Sequence, residues 1–374
     1  MRRRVFVRGL ASGLAATGTG AALSVPLAGT AAARPATAPG TWQEVATPAG
    51  QPAAHLVSVA AAGPGLAWAV GEHGRYGGTD GTPISLSWNG TAWSQDDLSH
   101  LTYKGALRAV AAAPAGRAAW AIGTDTAGHD QLLTWDGTTW REAGFPGRGE
   151  AGTRLTSVAA GPDGRFWVSG RHGDRAGLLR GDGKSWRWCR PLPDPAAPTP
   201  TGVTVALGGE VWVFGDIIAR WDGAWTVVPR LPGYRASVTG LLPVAHDDIW
   251  LTGFAYGIGG PAGKPPGIRL QHWDGTEWTN PGAPFGVGLL SGISGDDRGR
   301  PDLISGWDFW DQKRAHYLRW NGTTWVSERG PETPDTYMTE ALTRIPGTDG
   351  HHWSVGTTSF SPYPPAQLRV ERFS

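Results

Sequence analysis

The chain has 374 residues, with 33 Lys and Arg against 32 Asp and Glu, one Cys and 21 Trp. A single Cys excludes an intramolecular disulfide and a zinc site built on several thiolates, and no apolar run beyond the first forty residues reaches the length of a membrane span. The net charge of +1 becomes about −3 once four N-terminal Arg are set aside, which points away from nucleic acid and anionic membranes as partners.

Residues 1–33 run from MRRRVFVRG through a weakly apolar stretch of small residues to Ala31, Ala32 and Ala33, the layout of an export signal. Arg3, Arg4, Phe6 and Arg8 make it resemble a twin-arginine signal, which implies passage of an already folded protein and a secreted product. The Gly-, Pro- and Trp-rich, Lys-poor composition resembles that of secreted actinobacterial proteins. The expected layout is a signal peptide at 1–33, a linker at 34–40 and one domain at 41–374.

Three tryptophan markers then recur about every fifty residues. The first is Trp followed three residues later by Gly, at Trp68, Trp120, Trp167, Trp212, Trp250 and Trp353, with Leu303 in the equivalent place. The second is Trp before Asp-Gly or Asn-Gly, at Trp88, Trp135, Trp221, Trp273 and Trp320, with Arg180 expected to substitute in RGDGKSW. The third follows that pair, at Trp93, Trp140, Trp186, Trp225, Trp278 and Trp325, and its seventh copy is Trp42, stranded ahead of the first unit in TWQEV.

Each unit reads as four short strands. In the third repeat LTSVAAG, the turn PDGR and FWVSG supply the first two; in the second, LLTW, an Asp-Gly hairpin and TTWRE supply the last two. Four-stranded units repeated around an axis are propeller blades. The last unit ends in AQLRVERFS and lacks a fourth strand, whereas TWQEV is a fourth strand without a unit, so pairing them closes the ring. The expected fold is all-β, a seven-bladed β-propeller of four-stranded antiparallel blades closed by an N-terminal strand. Its repeated Trp residues are read as packing between blades, each able to bury on the order of 150–250 Å².

With these markers in place, the chain resembles secreted bacterial seven-bladed propellers related in shape to kelch-repeat and galactose oxidase propeller domains. It lacks the paired glycines of kelch second strands and the Gly-His and Trp-Asp ends of WD repeats. The galactose oxidase resemblance would imply a copper site with a Tyr crosslinked to Cys, for which only Cys189 is available; a buried small residue is the plainer reading. SGDDRGRPDLISG, residues 294–306, resembles an integrin-type calcium loop through Asp296, Gly299 and Asp302, but Ser294 and Arg298 stand where further oxygen ligands are needed. No metal or other cofactor is expected, and Arg180–Asp182 is read as a hairpin, not an adhesion motif.

Turns such as PDGR, PAGR and GTDG fall on one face of the expected ring, and long irregular loops on the other, where function tends to sit. Trp307 and Trp310 lie outside the repeat, in a long loop with Asp308, Asp311, Lys313 and Arg314, the chemistry of a sugar-stacking site or a protein hot spot. Loops of the first three blades add His73, Arg75, Tyr76, His129, Asp130, Arg171, His172, Asp174 and Arg175. Inter-blade loops add His100, Tyr103, Tyr234, Arg235, Glu332, Asp335 and Tyr337.

Three readings stay open. The favoured one is a secreted, monomeric, non-catalytic binding protein with a glycan or protein ligand on the long-loop face. No Gly-x-Ser-x-Gly or His-Glu-x-x-His motif is present. An extracellular enzyme acting on polysaccharide would therefore have to assemble its site from separate blades, with His73, Tyr76, His129, Arg171 and His172 as candidates. The third reading is a scaffold without a small ligand.

Overall fold

Short runs alternating apolar and polar residues, broken by Gly-containing turns, give strands throughout. The computed structural model describes residues 40–75, 81–102, 104–229, 236–257, 265–358 and 366–374, all within the compact unit Ala38–Ser374. The expected export signal, Tyr76, Tyr103, Tyr234 and Arg235 lie outside the described residues. Among these residues there are 28 strands in seven four-stranded antiparallel sheets, with no helix. Among the described residues, therefore, no helix is long and apolar enough to cross a membrane.

Six blades are built from four consecutive strands. The seventh takes Tyr337–Arg344, His352–Thr358 and Gln367–Phe373 from the C-terminus and Trp42–Val45 from the N-terminus, with Trp42 opposite Phe373 and Val45 opposite Val370. Arg369 fixes that seam, bonding Glu371 on its own strand and Glu44 on the incoming one, both at 2.8 Å. The innermost strands of consecutive blades touch all the way round, including blade seven against blade one. The expected closure is the observed one.

The Gly of the first marker has a steric cause. In six blades the innermost strand carries a bulge, at Val57, Arg108, Thr156, Thr239, Ser291 and Glu340. The register shift pushes an inner-strand carbonyl against the second strand. A Cβ added to Gly71, Gly170, Gly253 or Gly356 would lie 1.8–2.0 Å from the carbonyl oxygen of His55, Arg154, Ser237 or Met338.

The Trp of that marker wedges between blades. Trp353 of blade seven meets Trp88 and Trp93 of blade one edge-on, at centroid distances of 4.9 and 5.1 Å. Trp68, Trp120 and Trp250 meet tryptophans of the next blade in the same way. Where Leu303 replaces Trp in blade six, Tyr317 fills the space by stacking on Trp42 at 3.6 Å. Packing is the role of the repeated Trp residues: all six first-marker copies are buried.

One substitution was misplaced in the sequence reading. The residue opposite Trp186 in blade three is Gly181, not Arg180, and the Trp186 ring lies where a side chain at 181 would stand, 2.7 Å from its Cβ position. Arg180 instead sits over Trp167 of its own blade, 5.6 Å from the ring centroid. The second marker's place in blade seven is taken by Phe373, opposite Trp42.

Candidate functional site

Backbone hydrogen bonds tie loop and linker segments together at blades five to seven. Ile268 N and Gly288 N donate to Gly286 and Pro266 carbonyls, and Phe309 N donates to Val287 O. Thr333 N and Tyr337 N donate to Lys313 and Gln312 carbonyls. The loop after Pro301–Asp308 is thus tied on both flanks to the segments that link its blade to its neighbours.

Asp308 anchors this loop. Its Oδ1 accepts from Trp310 N at 3.0 Å, and its Oδ2 accepts from the Arg329 guanidinium at 2.8 Å. It is buried, so its part is to hold the loop rather than to meet a ligand. Trp310 is 77% exposed, its ring edge-on to Phe309 at 5.0 Å. Trp307 is half-buried beside Phe309, Lys313 is exposed, and Arg314 pairs with Glu332 at 2.5 Å. On the adjacent loop of blade five, Tyr256 is 73% exposed. Two exposed aromatic faces with charged groups of both signs therefore share one rim.

The remaining candidates are engaged locally. His73 is buried, with Nδ1 accepting from Gln51 N and its pKa lowered by burial; Arg75 pairs with Glu72. Asp130 is buried and accepts from Arg108, Thr124 and Leu155 N, a joint between blades two and three. His129 lies 3.4 Å from Asp125. Arg171 spends its guanidinium on Thr199, Asp174 O and Ala197 O, and Arg175 donates to Leu192 O. His172 stacks on Trp188 and lies 3.4 Å from Glu150. Among the inter-blade candidates, His100 donates to Trp140 O at 2.6 Å, Asp335 O accepts from the Thr333 hydroxyl, and Tyr337 is buried. The described contacts do not join the candidates of blades one, two and three from one blade to another.

Neither metal idea gains a donor set. Asp296 is held by Arg300 at 2.6 and 2.9 Å, and buried Asp302 by Arg319 and Arg344. Cys189 packs against the core cluster that holds Leu178 and Leu192, and burial pushes its thiol pKa up.

A constellation that sequence reading missed lies beneath the Trp310 loop. His316 is buried, with its ring stacked on Phe285 at 4.0 Å. Its Nε2 is hydrogen bonded to the Ser327 hydroxyl, and its Nδ1 lies 3.5 Å from Asp308 Oδ2 with no hydrogen-bond partner. Burial, reinforced by Arg329 and opposed by Asp308, lowers its pKa to about 4. The available signal was slight: His316 is a polar residue opening the apolar strand His316–Trp320.

The fold defines a seven-bladed β-propeller. Solved structures similar in fold include YCF48 bound to D1 peptide, 15% identical, covering 91% of this chain and 98% of that one at TM-score 0.55. YCF48 from Cyanidioschyzon merolae is 14% identical, with 89% and 98% covered at TM-score 0.57. The SapL1 lectin in complex with α-methyl fucoside is 14% identical, with 78% and 98% covered at TM-score 0.46. No protein-family model matches the chain, and no curated protein matches it.

Proposed function

We propose that this protein is an exported binding protein that takes a glycan on the long-loop rim of blades five and six. The observation that carries the reading is Trp310: a large apolar ring left in water, on a loop whose backbone is bonded on both flanks. Leaving such a ring exposed forgoes about 1.5–3 kcal/mol of burial, and a rigid support lowers the ordering cost of binding. A flat indole face stacks on the apolar face of a sugar, and nearby Lys313, Arg314 and Glu332 can bond its hydroxyls.

Trp310→Ala removes an exposed ring and should leave the melting temperature within about 2 °C of the parent. Retention on the glycans that hold the parent in an array should fall at least about tenfold, or ~1.4 kcal/mol. Equal retention by the variant would place the site elsewhere, and capture of a protein but no glycan would favour a protein ligand. Export is tested separately. Replacing Arg3 and Arg4 together by Lys should hold the chain inside the cell, and undiminished secretion would remove the twin-arginine reading.

A further inference from the structure

We propose that Ser327, His316 and Asp308 form a nucleophilic triad at the rim between blades five and six, acting on carboxylic esters whose alcohol part carries a flat ring. Such triads are recognised by geometry and roles, not by chain order. Here the hydroxyl of exposed Ser327 meets Nε2 of a buried imidazole, and Nδ1 faces a carboxylate fixed by Arg329 and Trp310 N. The 3.5 Å gap to Asp308 is of the loose kind that closes when substrate binds.

Two features outside the triad complete a site. Gly330 N donates to Ala315 O and Asn321 N to Thr324 O, so these are hydrogen-bonded pairs of the antiparallel ladder. Alternation then makes Leu318 and Ser327 a non-hydrogen-bonded pair, and Ser327 N–H points out of the open edge of the outermost strand. A free N–H on the nucleophile itself is a donor for an oxyanion. Second, Trp325, Ser327 and Arg329 share one face of their strand, the face turned to blade five, whereas Glu328 on the other face bonds Trp42. Two residues before Ser327, about 7 Å along the strand, Trp325 lines a pocket of about 390 Å³ with Trp320, Thr323, Pro281, Ala283 and Pro284. The next residue, Phe285, stacks on His316. A pocket walled by Trp and Pro rings and by two Thr thus opens on the strand that carries the nucleophile, two residues from it, and suits a flat ring.

In the reaction Ser327 Oγ bonds to the carbonyl carbon as its proton passes to His316 Nε2. The bond from that carbon to the alcohol oxygen breaks, and the alcohol leaves with the proton. Solvent water then attacks the acyl-serine, gives a proton through Nε2 to Oγ and releases the acid.

The site can be tested on the mature chain with a fluorophosphonate probe, with the modified residue located by peptide mass spectrometry. Hydrolysis of 4-nitrophenyl acetate and of an acetylated methyl pyranoside gives the second readout. Ser327 should carry the adduct, and Ser327→Ala, an exposed change, should abolish it and lower turnover at least about tenfold. Turnover of the nitrophenyl ester supports the site, and turnover of the pyranoside ester alone would overturn its preference for a flat ring. Because His316→Gln could unfold the chain, the parent's pH profile gives an independent reading. Turnover should rise through about pH 4, where His316 loses its proton, and Arg329→Met should move that midpoint upward. An unmodified Ser327 in folded protein, or equal turnover by Ser327→Ala, would overturn the proposal. Glycan retention through Trp310 is a separate measurement, so either result can fail without the other.

Discussion

Glu340 is a half-buried carboxylate at the bulge of the innermost strand of blade seven. At the equivalent position Arg108 donates to Leu155 O and Thr239 to Leu290 O, each on the next blade. An ionised Glu has no hydrogen to donate, and burial raises the Glu340 pKa from 4.5 to about 7. The native chain therefore holds a proton that the unfolded chain releases above about pH 4.5. The associated stability is complete below pH 4.5 and lost as pH rises through about 7. Glu340→Gln, which can donate at every pH, should raise stability at pH 8 by on the order of 1–2 kcal/mol and change little at pH 4.5. Parallel denaturant titrations at the two pH values would show it, and an equal effect at both would exclude the account. Side chains of this kind mark the limit of sequence reading. Trp packing was readable from size and period, but Asp130 and Arg171 looked available as ligand groups because their partners, Leu155 N and Ala197 O, lie 25 and 26 residues away.

Among the elements, the hairpins were the most readable, and the two residues of each Asp-Gly or Asn-Gly pair divide the work of the turn. Only the Gly has positive φ, from 86° to 112° across six copies, while the preceding Asp or Asn uses its side chain. Asp274 accepts from Thr276 N at 2.8 Å and Glu277 N at 2.9 Å, and Asn89 and Asn321 accept from the corresponding groups in blades one and six. The loop is an Asx-turn closing four residues. Backbone donors lower the Asp274 pKa from 3.8 to about 2, so its stabilisation is present above about pH 3.8 and lost as pH falls through 2. Asp274→Asn should melt with the parent at pH 7 and above it near pH 2, whereas Asp274→Ala should melt lower at pH 7. Calorimetry of the three at both pH values decides it; an Ala variant matching the parent would deny the side chain its role. The bulges, by contrast, left only an indirect trace in sequence, since the Gly of the Trp marker reports a clash that exists only once two strands are in register.

For the whole molecule, the readable fact was an imbalance: a fourth strand at the start and a missing one at the end. Its structural counterpart is the pairing of Trp42–Val45 with Gln367–Phe373. The seam is fastened at more than its ladder. Thr41 N donates to Ser374 O at 3.1 Å, Glu44 meets Arg369, and Trp42 stacks on Tyr317 of the preceding blade while its Nε1 donates to Glu328 there. Trp42 thus joins the two chain ends and also the last two blades, so its loss should cost more than one blade's local order. Trp42→Ala is expected to destabilise the protein by about 3–5 kcal/mol, read as a lower urea midpoint. Removing residues 34–48 goes further, because it strips the outer partner from Gln367–Phe373 and leaves that strand's edge open to another chain. Light scattering should then find the truncated protein self-associated, and calorimetry should find its transition broadened and lowered. A truncated monomer melting as sharply and as high as the full chain would mean that the ring is held without its seam.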